Sequence, residues 1–399
     1  MIKVAHIITR MILGGAQENT LYTVQGLSRL PNYDVTLITG PAIGPEGELV
    51  EEARKSGVKL ILVDELRREL SAYYDPVSFV KLVSVLRRLK PDIVHTHSSK
   101  AGILGRWAAR LLRVPCIVHT IHGLPFHPYE RPLLNWLYIR LERSAAKCSD
   151  AIICVANAMA EQSLAAGVGR PDLYTTIYSG MDIDEFLRAG AKRAATRQRL
   201  GFADSDIVIG KIARIAPLKG YEYVVQIAPE LLRRFPRARF LFVGDGTLRP
   251  EIERAVADAG MSDRIVFTGL VPATEIPELV SAMDVLVHAS LREGLARVLP
   301  QALASGKPVV SFDIDGAKEV VLDGVTGYLV EPESAEGLLD ALTKVLSLPD
   351  LGRSLGEEGR RRFANAFRKE EMVRRIAALY EQLLRRCPRR EQHAVRSKE

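Results

Sequence analysis

No apolar run in this chain approaches the roughly 18–20 residues that a membrane-spanning helix requires, so helical spans are not expected. Cysteine is scarce. Cys116, Cys148, Cys154 and Cys387 are all there are, and none has the close paired spacing of a zinc or redox site. Such usage fits a reducing cytoplasm, with the thiols acting as buried filler. Internal repeats and low-complexity tracts are also missing. A signal-cleavage pattern is missing too: "MIKVAHIITRMILGG" begins with a lysine and apolar residues, but Arg10 interrupts it. That segment reads as the first strand of a fold.

What is present is an ordinary globular composition, with 47% hydrophobic and 26% charged residues over 399 positions. That length implies two or three domains and ample core. The net charge of +7 favours anionic partners: nucleotide phosphates, an anionic membrane surface or nucleic acid. Much of the excess sits at the end, in Arg385, Arg386, Arg389, Arg390, Arg396 and Lys398, which reads as a solvated tail.

Strand and helix patterns alternate almost throughout, which predicts a parallel α/β architecture. Strands are expected at Val4–Thr9, Val35–Thr39, Leu60–Val63, Ile93–Thr96, Ile117–Thr120, Ala151–Val155 and Thr175–Tyr178. "YSGMDIDEF" then breaks the rhythm. A second series begins at Ile207–Ala213 and continues through Phe240–Val243, Ile265–Phe267, Val285–His288, Val309–Phe312 and Gly327–Val330. Two open parallel sheets joined by one linker predict a ligand cleft between them, beyond the carboxyl ends of the strands.

The most informative stretch is "SLREGLARVLPQALASG", Ser290 to Gly306. It places Glu293 and Gly294 in a loop between two buried strands, with a helix expected to start near Pro300. Backbone N–H groups and a helix N-terminus there make an anion site, and a carboxylate beside it suits a polyol attached to a phosphate. "TRMILGGAQENT" sets Gly14 and Gly15 before a helix in the same manner. It is not a dinucleotide fingerprint, because a third glycine and an acidic residue closing the second strand are both missing.

"VHTIHGLPFHPYE" brings His122 and Gly123 to the end of a strand, where a histidine can hydrogen-bond a hydroxyl or phosphate. His95 and His97 alternate along one strand, and with His119 raise the question of a metal. Sequence spacing supplies no suitable third ligand, so no metal site is assigned. "GKIARIAPLKGYEYVV" offers Arg214 and Lys219 in a strand–loop–helix turn, suited to a pyrophosphate. "FVGDGTLRPEIE" ends another strand on Gly244 and Gly246. Three Asp-x-Asp pairs occur. Asp182/Asp184 and Asp204/Asp206 read as turn and helix-start chemistry, whereas Asp313/Asp315 ends a strand near the expected site.

Taken in order, "GGAQ", "HG", "ARIAPLKG", "VGDG", "EGLARVLPQALASGKPVV" and "GVTGYLV" make the chain resemble the retaining glycosyltransferases of family 4. The resemblance runs from about residue 1 to 385. It implies the GT-B fold, two Rossmann-like domains with parallel sheets facing across a cleft. Residues 1–180 would form an acceptor-binding domain and 181–365 a nucleotide-sugar-binding domain. A helix over 366–386 would pack back on the first domain, and 387–399 would be a basic tail.

The resemblance also implies residue roles. Gly14 and Gly15 would lie against the donor diphosphate, His122 would contact the donor sugar, and Arg214 and Lys219 would neutralise the leaving diphosphate. Glu293 would bind sugar hydroxyls, the amides around Gly294, Leu295 and Ala296 would cradle sugar or phosphate, and Gly244 and Gly246 would border the donor. The family usually has a second glutamate eight residues after the first, gripping the ribose diol; here Gln301 stands there, and its amide oxygen can still accept a hydroxyl. Implied is retaining transfer of a sugar from a nucleoside diphosphate, with uracil the preferred base, to a saccharide or lipid-linked acceptor. No cofactor and no essential divalent metal are expected, and no nucleic-acid partner. The enzyme would be cytoplasmic and peripheral at the inner face of the membrane, where Leu133, Leu134, Trp136, Leu137, Tyr138 and Leu141 flanked by Arg131, Arg140 and Arg143 form a basic amphipathic helix. Core packing explains those apolar residues equally well. The competing functions are a non-catalytic nucleotide-sugar-binding protein, suggested by Gln301, and an NAD-dependent oxidoreductase.

Overall fold

The computed structural model describes residues 1–43 and 47–386, so the basic tail and Cys387 lie outside the described residues. The chain divides into two compact units. One is Met1–Met181 together with the stretch from Lys369 onward; the other is Asp182–Arg368.

The first unit is built on seven strands: β1 Ile2–Arg10, β2 Tyr33–Gly40, β3 Lys59–Leu62, β4 Ile93–His97, β5 Cys116–Ile121, β6 Ala151–Cys154 and β7 Tyr174–Thr176. They lie in the order β3-β2-β1-β4-β5-β6-β7, every pair parallel. Their sequences are near-continuous apolar runs because helices cover both faces. On one face Leu21, Val24 and Leu27 of the helix Gly15–Ser28 join Met372, Val373, Ile376 and Tyr380 of the final helix Lys369–Arg386 in one core. The two helices touch closely: a Cβ on Gly26 would meet Val373 Cγ2 at 2.4 Å. The opposite face packs Leu82, Val85, Leu86, Ala101, Ala108 and Ala109 against Ile7, Ile38 and Val94. Each fully buried aliphatic side chain of this kind contributes roughly 1.5–3 kcal/mol.

The second unit has six strands: β8 Ile207–Ile212, β9 Ala238–Val243, β10 Ile265–Phe267, β11 Val285–His288, β12 Val309–Phe312 and β13 Gly327–Val330. Their order is β10-β9-β8-β11-β12-β13, again all parallel. Phe240, Phe242, Phe312 and Tyr221 fill the core under the helices Tyr221–Arg234 and Ala335–Ser347. Among the described residues no helix is long and apolar enough to cross a membrane.

Both sheets reverse their strand order at one point, between β1 and β4 and between β8 and β11. The connections that leave the two strands there run to opposite sides, so a crevice opens at their carboxyl ends. The site residues cluster at those ends.

Candidate active site

The loop after β8 carries Arg214, Lys219 and Gly220, and it presses onto the end of β11. Leu291 N donates to Leu218 O at 2.9 Å. Gly220 has φ +66°, and a Cβ there would lie 1.8 Å from the Ala289 carbonyl oxygen. Only glycine fits this contact. Leu218 beside it holds φ +66° without that freedom, a local strain that the tight loop imposes.

The contact sets Lys219 Nζ 2.5 Å from Glu293 Oε1, with the side chains 18% and 23% exposed. Glu293 is fixed from the other side as well, since its backbone N–H donates to Asp315 Oδ2 at 2.6 Å. Asp315 therefore positions the Glu293 loop, and its φ of +44° marks the turn needed to reach it. His288, the last residue of β11, brings Nε2 to 3.9 Å from Glu293 Oε1. Burial alone would raise the Glu293 carboxyl, yet the Lys219 ammonium holds it below its ordinary value. Glu293 is thus an anion gripped in a half-open site.

Beneath it lies Lys211 on β8, fully buried with no hydrogen-bond partner for Nζ among the described residues. Its ammonium stands 4.7 Å from the Tyr221 ring centroid, and burial brings its pKa down to about 7. Sequence reading did not single out Lys211 or His288. Both sit inside strands that otherwise read as core; Lys211 falls within the stretch quoted for Arg214 and Lys219, but on its strand and not in its loop.

Gly244 and Gly246 end β9 beside the Arg214 loop. A Cβ on Gly244 (φ +133°) would meet Ala213 O at 2.1 Å, and Ile215 N donates to Asp245 O at 2.9 Å. Their backbone holds the loop that carries exposed Arg214. Gly294, Leu295 and Ala296 are buried, and Gln301 is 9% exposed on the helix Val298–Ala304. That helix starts two residues before Pro300 and has only seven residues. Its macrodipole is short, so positive potential here comes chiefly from Lys219 and individual N–H groups. Of the other carboxylate pairs, Asp184 accepts from Arg368 at 2.8 Å and Asp206 accepts from Ala203 N at 2.8 Å.

In the first unit Gly14 precedes the helix at Gly15, whose exposed N-terminus closes on it through Glu18 N to Gly14 O at 2.9 Å. His122 lies one residue past β5, and its Nε2 is 3.2 Å from His97 Nδ1. The sequence spacing supplied no third histidine for His95 and His97; the parallel register of β1 and β4 does. His6 pairs with His95 across the strands, and ring nitrogens of His6, His95 and His97 lie within 4.8 Å of one another. A metal could use such spacing, but these nitrogens are already spent: His6 Nδ1 meets His97 Nε2 at 3.0 Å, and His95 meets Tyr380 Oη at 2.5 Å and Thr120 Oγ1 at 2.7 Å. Burial drives the pKa of His6 to about 3 and those of His95, His97 and His119 well below the usual range, so all four are neutral. His119 turns away from this cluster, its Nδ1 3.1 Å from Thr96 O.

Residues 13–185 match the family model described as Glycosyltransferase Family 4, and 192–362 match Glycosyl transferases group 1. A UDP-Gal:alpha-D-GlcNAc-diphosphoundecaprenol alpha-1,3-galactosyltransferase of Escherichia coli is 32% identical over 95% of this chain and 96% of its own length. The chain belongs to glycosyltransferase family 4. As a family 4 glycosyltransferase it is also similar to the alpha-D-kanosaminyltransferase of Streptomyces kanamyceticus, 30% identical over 68% of this chain and 73% of that protein. Its fold is that of Anabaena HepE, solved in complex with UDP: TM-score 0.81, 21% identity, covering 96% of this chain and 100% of that one. The two parallel-sheet units are thus a GT-B architecture, and the protein is a glycosyltransferase enzyme.

Proposed function

We propose that this glycosyltransferase moves a sugar, with retention, from a UDP-sugar to a hydroxyl of a lipid-linked saccharide. The observation that carries the reading is the Lys219–Glu293 pair at the strand-order reversal of the second unit. An ammonium has three donors, so Lys219 can hold Glu293 and still meet a diphosphate oxygen. Arg214 supplies a second cation on the same loop. Together they stabilise charge that grows on the leaving diphosphate, and a preorganised group of this kind is worth roughly 10²–10³ in rate. Glu293, kept ionised, accepts hydrogen bonds from donor-sugar hydroxyls. The amides of Gly294, Leu295 and Ala296 cradle the sugar, Gly244 and Gly246 border the donor, and Gln301 accepts from the ribose. His122 contacts the donor sugar, while Gly14 and Gly15 offer the helix N-terminus to the diphosphate. No side chain is assigned as a covalent nucleophile. The departing phosphate takes the acceptor proton on the same face. The two lysine and arginine cations do the electrostatic work, so a divalent metal is not required.

The similar E. coli enzyme, by its name, uses UDP-Gal and a diphosphoundecaprenol-linked acceptor, which supports both halves of the reading. An exposed helix face supports membrane contact. Leu133 is 75% and Trp136 56% exposed on the helix Pro132–Ala146, and the Arg140 guanidinium lies 5.4 Å from the Trp136 ring. That arrangement suits the boundary of an anionic leaflet, placing the enzyme as a peripheral protein of the cytoplasmic face.

A thermal-shift screen against UDP-, GDP- and ADP-sugars tests the donor, because a bound donor stabilises according to its occupancy. UDP-sugars should raise Tm most. Transfer to a polyprenyl-diphosphate saccharide should then be seen, and stabilisation by GDP-sugars alone would overturn the donor assignment.

A further inference from the structure

The first unit buries a string of groups that the proposed chemistry does not use. Starting from the interior, Thr120 Oγ1 is 2.7 Å from His95 Nε2, and His95 Nδ1 is 2.5 Å from Tyr380 Oη. Tyr380 Oη is 3.4 Å from His6 Nε2, and His6 Nδ1 is 3.0 Å from His97 Nε2. Finally His97 Nδ1 is 3.2 Å from His122 Nε2. Every member except His122 is buried. Four elements contribute: β1, β4, β5 and the final helix.

A neutral imidazole has one N–H and one lone pair, so each ring that donates at one end must accept at the other. The string therefore keeps one direction through the rings, and the Tyr380 hydroxyl could reverse it only by accepting from both His95 and His6, which would leave its own buried hydrogen without an acceptor among the described residues. The two senses are not equivalent. If the protons point outward, Thr120 donates to His95, His95 to Tyr380, Tyr380 to His6, His6 to His97, and His97 to His122. No buried hydrogen is then left without an acceptor. If they point inward, His95 donates to Thr120, and the Thr120 hydroxyl hydrogen has no other partner among the described residues. An orphaned buried donor costs on the order of 1–3 kcal/mol.

We propose that this hydrogen-bonded relay, from Thr120 through His95, Tyr380, His6 and His97, locks His122 as the tautomer protonated on Nδ1, so that these buried residues position the imidazole for the sugar it contacts. The inference rests on the reading of His122 as a donor-sugar contact. The neutrality it needs follows from burial, which holds His6, His95 and His97 unprotonated at pH 7. A fixed tautomer presents one sense of hydrogen bond to a hydroxyl, which is the role a second partner plays for any ligand-binding histidine. Tyr380 is delivered by the helix Lys369–Arg386, so the last helix reaches into the tuning of a residue at the end of β5.

The test is ¹⁵N imidazole NMR of the full chain with labelled histidine, the His122 signals assigned by their loss in His122→Asn. In the native protein His122 should give a single tautomer, protonated on Nδ1. Tyr380→Phe keeps the ring but cuts the string three groups away from His122. A second, Nε2-protonated population of His122 should then appear, with kcat down about tenfold, less than the roughly 10²–10⁴ of a proton-handling group removed outright, because the imidazole is kept and only its orientation is loosened. Tyr33→Phe removes another hydroxyl that faces the same helix, 3.4 Å from Ala377 O, and should leave the His122 spectrum unchanged. Should Tyr380→Phe fail to fold, Thr120→Val, near-isosteric and at the inner terminus, carries the same measurement. A native His122 protonated on Nε2, or a His122 spectrum identical in the variant and the native chain, overturns the relay. The spectra need no turnover. A native chain that shows the relay but transfers no sugar would sink the functional reading and leave the relay standing.

Discussion

In the first unit the fourth strand ends on His97, which faces the imidazoles of His6 and His122; in the second it ends on His288, which faces the Glu293 carboxylate. One strand order thus carries two ways of burying ionisable groups. The first unit keeps His6, His95, His97 and His119 neutral by burial and threads hydrogen bonds through them. The second keeps one such histidine, His288, and adds cations, with the lysines Lys211 and Lys307 both brought to about 7 chiefly by burial. Hydrogen-bond direction is the currency of the first arrangement and charge that of the second. A sugar hydroxyl needs the former, and a departing diphosphate the latter.

The largest effect expected from this contrast is in stability against pH. A buried histidine binds its proton in the unfolded chain near 6.5 but in the folded chain only near 3 for His6. The unfolded state therefore holds more protons between those values, and stability falls as pH drops through that window by roughly 1.4 kcal/mol per unit for each such group. Four groups in the first unit against one in the second make the first unit the acid-labile one. Its two tryptophans, Trp107 and Trp136, report it by fluorescence. Their urea midpoint should drop steeply between pH 6.5 and 5. For the lysines the window lies between about 7 and the unfolded value of 10.5, and stability rises with pH across it. Hydrogen exchange in β8 and β11 should slow from pH 7.5 to 9.5, once corrected for intrinsic rates, and Lys211→Met should flatten that trend. Equal acid sensitivity of the two units would remove the contrast.

Next in size is Lys219→Ala. Loss of the ammonium leaves Glu293 without its ion-pair partner and the diphosphate without a cation, and kcat/KM should fall roughly 10²–10³-fold. Unchanged turnover with intact folding would take the leaving-group role from this residue. A smaller effect, about tenfold in partitioning, is expected for Leu133→Ser with Trp136→Ser in sedimentation with anionic vesicles. If binding is salt-insensitive or unaffected, the helix face has another purpose. The smallest is Gln301→Glu. A charge-assisted bond to the ribose should tighten donor binding by about 1 kcal/mol, near fivefold, and an unchanged Kd would end the ribose assignment.

Periodicity and punctuation were enough to read the sheets. Phe240–Val243 and Gly327–Val330 were legible as apolar runs bounded by turns, and both are strands in the structure. The helix Ser99–Leu111 was not, because "SKAGILGRWAARL" mixes glycines and charges and its helical face shows only once β1 and β4 are packed beneath it. Lys219 and Glu293 were each legible in a motif, but their contact joins positions 74 residues apart. Asp313/Asp315 read as a pair ending a strand near the expected site, and the structure adds what the spacing did not show, that Asp315 holds the Glu293 amide. His6 was least legible of all. It sits mid-strand in an apolar run, and only the parallel register with His95 reveals what it meets. Sequence spacing reports neighbours along the chain, and parallel sheets make neighbours across it.

The final helix has one more consequence, for synthesis rather than for the finished enzyme. The chain completes all of Asp182–Arg368 before Lys369–Arg386 is made. On the ribosome the second unit can therefore close around a complete core while the first still lacks Met372, Val373, Ile376 and Tyr380. Until that last segment emerges, Val24, Leu27 and the imidazoles of β1 and β4 have an open flank. The nascent first unit then depends on the chain's own C-terminal segment, or on a chaperone, to cover it.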